Sequence, residues 1–187
     1  MTQIITVLRP KRLTRRQLWR LLTKNSEAGK VDYNLLLHLV DYLGEELVLL
    51  LRTWLPGRPV MPVTAIAGLG NAFLLAQAAG RAWQKRHHAT QPAVLELTQD
   101  HQGHVIVERG NPLNDYPYNV VLIEDEHVGT GSQYLEEIER RTYALRVRGY
   151  KVVRIIGFLE RENGADHTIV KGCERIALFR RTEVCRE

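Results

Sequence analysis

A chain of 187 residues that is 44% hydrophobic can bury one sizeable core but is too short for two. Its formal charge of +5 and sequence pI near 9.4 favour partners that carry phosphate, either nucleotides or nucleic acid. Two late cysteines, Cys173 and Cys185, exclude a disulfide-stapled scaffold and fit a reducing, cytosolic setting. In chain order, "MTQIITVLRPKR" puts a short apolar run ahead of its charge, the reverse of a secretory leader. Leu18, Leu21 and Leu22 then recur at helical spacing between Thr14 and Thr23, and Leu36, Leu39, Val40, Leu43, Leu47, Leu50 and Leu51 between Tyr33 and Trp54, which predicts two helices. His38, Asp41, Glu45 and Glu46 interrupt the second, so no membrane span is expected and the protein is read as soluble and cytoplasmic. The cations Arg9, Lys11, Arg12, Arg15, Arg16 and Arg20 read as the solvated face of an amphipathic helix or as a contact for nucleic acid.

"LPGRPVMP", residues 55–62, breaks the helical pattern, and the style of the sequence changes after it. "VTAIAGLG" reads as a buried strand ending in a glycine turn, and "NAFLLAQAAGRAWQKR" as the helix that follows. "AVLELT" and "HVIVER" are strands around the polar turn "QDHQG". "NVVLIED", the loop "EHVGTGS", a helix over Gln133–Arg148 and the strand "KVVRIIGFLE" repeat the strand, loop, helix, strand order. Alternating elements with apolar central strands predict a parallel α/β sheet covered on both faces, with ligands at the carboxyl ends of its strands. One domain over 1–187 is expected, with an N-terminal helical part at 1–55 and an α/β core at 60–180.

The stretch "VVLIEDEHVGTGS" carries the strongest chemical signal. Backbone amides of a glycine-rich turn that leads into a helix converge on one centre, and the helix dipole with the Thr130 and Ser132 hydroxyls makes that centre a phosphate cradle. The adjacent Glu124 and Asp125 repel a bare phosphate, so their presence calls for hydroxyl groups or a positive intermediary; a sugar phosphate, directly or with Mg²⁺, meets both demands. A Walker loop is excluded because Gly131 stands where its lysine belongs, and a dinucleotide fingerprint because two acids separate the strand from the glycines.

Those residues resemble the phosphoribosyl diphosphate motif of the type I phosphoribosyltransferases: an apolar strand, two acids, three variable positions and a Thr/Gly-rich loop ending in a hydroxyl residue. "AIAGLGNAFLLAQAAG" is similar to that family's pyrophosphate turn and following helix. "VVRIIGFLERENGA" and "GCERIALFRRTEV" are similar to the closing segments of the orotate enzymes. The resemblance covers about residues 60–180 and implies phosphoribosyl transfer from phosphoribosyl diphosphate to a nucleobase, with Mg²⁺ held mainly by the substrate and with release of pyrophosphate from a homodimer. It places Glu124 and Asp125, the catalytic pair, at the ribose hydroxyls and Gly129, Thr130, Gly131 and Ser132 at the 5′-phosphate. Ala67, Gly68, Leu69 and Gly70 fall at the pyrophosphate and Arg161 at the base.

Each assignment has a plainer reading. Any strand-to-helix turn favours glycine at 68 and 70, Arg161 could pair with Glu160 or Glu162, and His87, His88, His101, His104 and His127 match no zinc spacing. Trp19, Trp54 and Trp83 read as core. The chain also departs from the orotate pattern: no lysine or arginine lies between Arg86 and Arg109, where the family's mobile loop carries its cations. This keeps a second function open, a non-catalytic module that binds phosphoribosyl diphosphate or a nucleotide and contacts nucleic acid through its basic N-terminus.

Overall fold

The computed structural model describes residues 14–23, 33–52, 62–87, 92–109, 118–124, 127–128, 132–160, 169–170 and 172–179. Two helices, α1 (Arg15–Thr23) and α2 (Tyr33–Arg52), precede an alternating core. The core runs β1 (Ala65–Leu69), α3 (Asn71–His87), β2 (Ala93–Gln99), β3 (Val105–Arg109), β4 (Tyr118–Ile123), β5 (His127–Val128), α4 (Ser132–Val147), β6 (Tyr150–Glu160), β7 (Ile169–Val170) and β8 (Cys173–Phe179). No helix among the described residues is long and apolar enough to cross a membrane.

The strands lie in the order β3-β2-β1-β4-β6-β8-β7, with β5 paired to β6 off that path. Pairing is parallel from β2 through β1, β4 and β6 to β8, while the outer strands β3 and β7 run antiparallel to their neighbours. The expected parallel α/β sheet is therefore present, edged by two antiparallel strands that the alternation did not announce. The short β5 and β7 were not visible in the sequence because two residues cannot display a periodicity.

Side-chain alternation splits the core into two layers. Ile66, Val121 and Ile123 face α1, α2 and α3, joining Leu18, Leu22, Leu43, Leu47 and Leu75. Ala65, Ala67, Val120 and Leu122 face the other way, against Ile138 and Leu145 of α4. Leu18, Trp19 and Leu22 of α1 are all buried. Trp19 stacks at a tilt on Phe179, which in turn meets Phe158, with centroid spacings of 5.3 and 5.1 Å. At about 1.5–3 kcal/mol per buried large side chain, these contacts outweigh the Arg15–Glu46 ion pair, which holds the same helix at 3.0 Å. Trp19 is thus core as expected, Trp83 is half-buried against the same cluster, and Trp54 lies outside the described residues.

One irregularity re-aims a charge. β6 carries an extra residue, Val153, opposite the step from Val120 to Val121. Val152 faces α4, and the insertion turns Arg154 to the opposite face. There its Nε donates to Glu174 Oε2 at 2.6 Å and its Nη1 donates to the Leu50 carbonyl. The fully buried Arg154 so ties β6, β8 and the end of α2 together. Glu174 holds its guanidinium protonated against burial, which pulls the pKa down.

Candidate functional site

The chain leaves β1 through α3 toward β2 on one side of the sheet and leaves β4 through α4 toward β6 on the other. β1 and β4 are neighbours, with Gly68 opposite Ile123, so the crevice beyond their carboxyl ends is the point where strand order reverses. Open parallel sheets place ligands at such a point, and here two helices, α3 and α4, begin beside it. The turn after β1 and the end of β4 were the two places singled out from sequence, and the sheet register brings them together.

Of the predicted pyrophosphate turn, Ala67 is buried in the strand, Leu69 is half-buried and Gly70 is exposed. Gly70 has φ of 58° and its carbonyl accepts the Phe73 N–H at 3.1 Å, so it bends the strand into the first turn of α3. Gly68 has a different reason to be glycine. A Cβ there would lie 2.4 Å from the Ala72 carbonyl oxygen, so the missing side chain lets α3 seat on the strand end.

The acidic end differs from the simplest expectation. Val120, Leu122 and Glu124 share a strand face by alternation, and that face looks into α4. Glu124 is 1% exposed; its Oε2 is ion-paired to Arg141 Nη1, from the middle of α4. Its own N–H donates to the Ile156 carbonyl at 2.8 Å, which fixes the strand end. Arg141 reaches Glu137 Oε2 at 3.4 Å with its other terminal nitrogen. Burial lowers its pKa. Glu124 Oε1 and Arg141 Nε are buried without a hydrogen-bond partner. Glu124, expected at the ribose hydroxyls, therefore has its carboxylate drawn under α4. No preformed contact surface for ribose exists at that side chain. Arg141 was not anticipated; the only hint was the alternation that turns Glu124 toward whichever helix covers its face. Ser132 opens α4, whereas Asp125, Gly129, Thr130, Gly131 and Arg161 lie outside the described residues.

Magnesium fits the described donors poorly. Glu124 is already neutralised by a guanidinium, and no group of three His, Cys, Asp or Glu side chains converges among the described residues. Cys173 is no rival as a nucleophile: its thiol donates to the Val152 carbonyl at 3.2 Å, and burial pushes its pKa up against the opposing charge of Arg146.

The segment between β2 and β3 is a compact bend. Asp100 Oδ1 accepts the Gln102 and His104 N–H groups at 2.9 and 2.8 Å, and Gly103 takes φ of 79°. His104 Nδ1 lies 3.1 Å from Asp100 Oδ2. A long mobile loop, which the resemblance implies here, is absent from this fully described connection. A groove of about 690 Å³ lies farther off, between this bend with β3 and the outer side of α4; Ile106, Tyr143 and Val147 line it with Arg140 and Arg148. It contains none of the predicted site residues.

No protein-family model matches the chain, and no curated protein sequence matches it. Solved structures do. A phosphoribosyltransferase from Corynebacterium diphtheriae superposes with a TM-score of 0.63 at 20% identity, over 92% of this chain and 98% of that one. An orotate phosphoribosyltransferase from Aeropyrum pernix gives 0.53 at 18% identity, over 87% and 86% of the two chains. An adenine phosphoribosyltransferase from Thermoanaerobacter pseudethanolicus gives 0.51 at 16% identity, over 81% and 87%. Both orotate and adenine enzymes are thus among the similar structures, and the likeness selects neither base. The resemblance of the acidic strand end and glycine loop is matched by the whole architecture: this chain has the α/β fold of the type I phosphoribosyltransferases.

Proposed function

We propose that the crevice between β1 and β4 binds the ribose 5-phosphate part of phosphoribosyl diphosphate, and that the chain transfers this group to a nucleobase with release of pyrophosphate. The observation that carries the reading is the meeting of two strand-to-helix turns at the point of strand-order reversal, one of them the Gly68–Gly70 turn. In this reading Gly129, Thr130, Gly131 and Ser132 hold the 5′-phosphate through amides and hydroxyls, and Asp125 takes the ribose hydroxyls. Backbone N–H groups of the turn over Ala67, Gly68, Leu69 and Gly70 approach the diphosphate, and Arg161 meets the base. The substrate enters as its magnesium complex, so the chain need not hold the metal. Positive charge that develops on the ribose ring as the diphosphate leaves is stabilised by nearby carboxylate, chiefly Asp125. Assembly as a homodimer belongs to the same reading.

The bend at Asp100–His104 favours a second reading, binding without transfer. Its only cation-forming groups are His101 and His104, exposed and largely neutral at pH 7, so this connection offers little to offset charge on a departing diphosphate. One assay separates the two. The protein is incubated with magnesium phosphoribosyl diphosphate and orotate, uracil, adenine or hypoxanthine, and pyrophosphate is measured alongside calorimetry of the sugar phosphate. Pyrophosphate released with one base supports transfer. Heat of binding with no release supports the binding module, and neither signal removes the site.

A further inference from the structure

The buried pair Glu124–Arg141 has a consequence for the ligand, which rests on the ribose 5-phosphate reading above. A carboxylate at the end of β4 stands beside the amides expected to receive a phosphate, and at 1% exposure it is beyond the reach of salt screening. Left unpaired, it would repel that phosphate strongly, and a divalent cation would be needed between them. Arg141 removes the need. Its Nη1 meets Glu124 Oε2 inside the protein and turns a buried charge into a buried dipole. Glu137, the other acid on Arg141, sits at 3.4 Å with about a third of its side chain exposed, where water weakens its share.

We propose that Arg141 is a positioning residue that neutralises Glu124, so that the site accepts the 5′-phosphate monoester as a bare anion, without Mg²⁺. Metal then belongs to the diphosphate end of the larger substrate and not to the ribose 5-phosphate subsite. The unpartnered Glu124 Oε1 and Arg141 Nε fit this role: the pair has spare polar capacity but is closed to a hydrated cation.

The test is calorimetric titration of ribose 5-phosphate in EDTA and again in excess Mg²⁺. Wild-type protein should bind with dissociation constants within about threefold of each other in the two buffers. Arg141→Met leaves Glu124 charged; affinity in EDTA should fall at least about tenfold, and Mg²⁺ should recover most of the loss. A purely structural role for Arg141 would give a loss that Mg²⁺ does not touch. Glu124→Gln/Arg141→Met, which removes both charges at similar volume, should bind independently of metal again, and it replaces the single variant if that one does not fold. Wild-type binding that requires Mg²⁺, or an Arg141→Met defect that Mg²⁺ leaves in place, overturns the proposal while the site reading stands. Absence of binding in both buffers overturns the site reading and this proposal with it.

Discussion

At the scale of single residues, Gly68 and Gly70 look alike in sequence and differ in what they do. A methyl group at 68 runs into the Ala72 carbonyl of α3, while one at 70 meets open space but sits on a backbone with φ of 58°. Gly68→Ala should therefore cost the upper part of the 1–3 kcal/mol typical of overpacking, because the obstacle is backbone and cannot swing aside. Gly70→Ala should cost about 1 kcal/mol, the strain of a left-handed residue with a side chain. Urea denaturation distinguishes them, and equal losses would show that α3 shifts freely away from β1. The turn itself was legible, since glycines between an apolar strand and a helical pattern have few other uses. The distinct job of each glycine was not, because it depends on how close α3 lies. Glu124 shows the same limit. Its place at a strand end could be read from "VVLIED", but its partner stands on a helix whose contact with that strand no local pattern records.

At the scale of elements, the β2–β3 hairpin is held by one side chain. The Asp100 carboxylate accepts two backbone N–H groups across the bend, and the hydrogen bond from the His104 amide, foremost, depresses its pKa below the ordinary 3.8. A folded pKa below the unfolded one means the bend is stabilised above about pH 4 and loses that support as pH falls through the lower folded value. Hydrogen-exchange protection of the Gln102 and His104 amides should be constant from pH 7 to about 4 and decline below it, after correction for intrinsic exchange. Asp100→Asn should weaken protection at neutral pH and remove the acid-side decline. A decline that survives the substitution would assign it to another group. Sequence placed this turn correctly from "QDHQG" flanked by alternating apolar residues. Helices α1 to α4 were legible for a similar reason, with their ends displaced by a residue or two, where capping and fraying outweigh periodicity. The antiparallel sense of β3 follows from its short connection; β7 gave no such cue.

At the scale of the molecule, the N-terminal helices are part of the core. Trp19 on α1 packs on Phe179 of β8, so the first described helix is sealed onto the last described strand. Trp19→Ala should destabilise the whole chain by about 3 kcal/mol in a single cooperative transition, as truncation of a buried aromatic does. A separate early transition on heating would instead mark α1 as an independent unit. Of the basic N-terminal residues that are described, Arg15 is engaged with Glu46, and Arg16 and Arg20 lie on the exposed side of α1. The fold class was readable because burial on both faces leaves long apolar strands between amphipathic helices. The bulge at Val153 was not, since the run "VVRIIG" carries no mark of where the strand slips its register, and with it went the cross-tie from Arg154 to Glu174 and α2.

The short bend between β2 and β3 also bears on kinetics. An enclosing flap slows escape of whatever it covers and keeps reactive species from solvent. Five residues pinned to their own aspartate have no reach to act as a cover, so from this edge the crevice stays open. Small molecules should come and go there rapidly, and occupancy should follow the surrounding concentration from moment to moment.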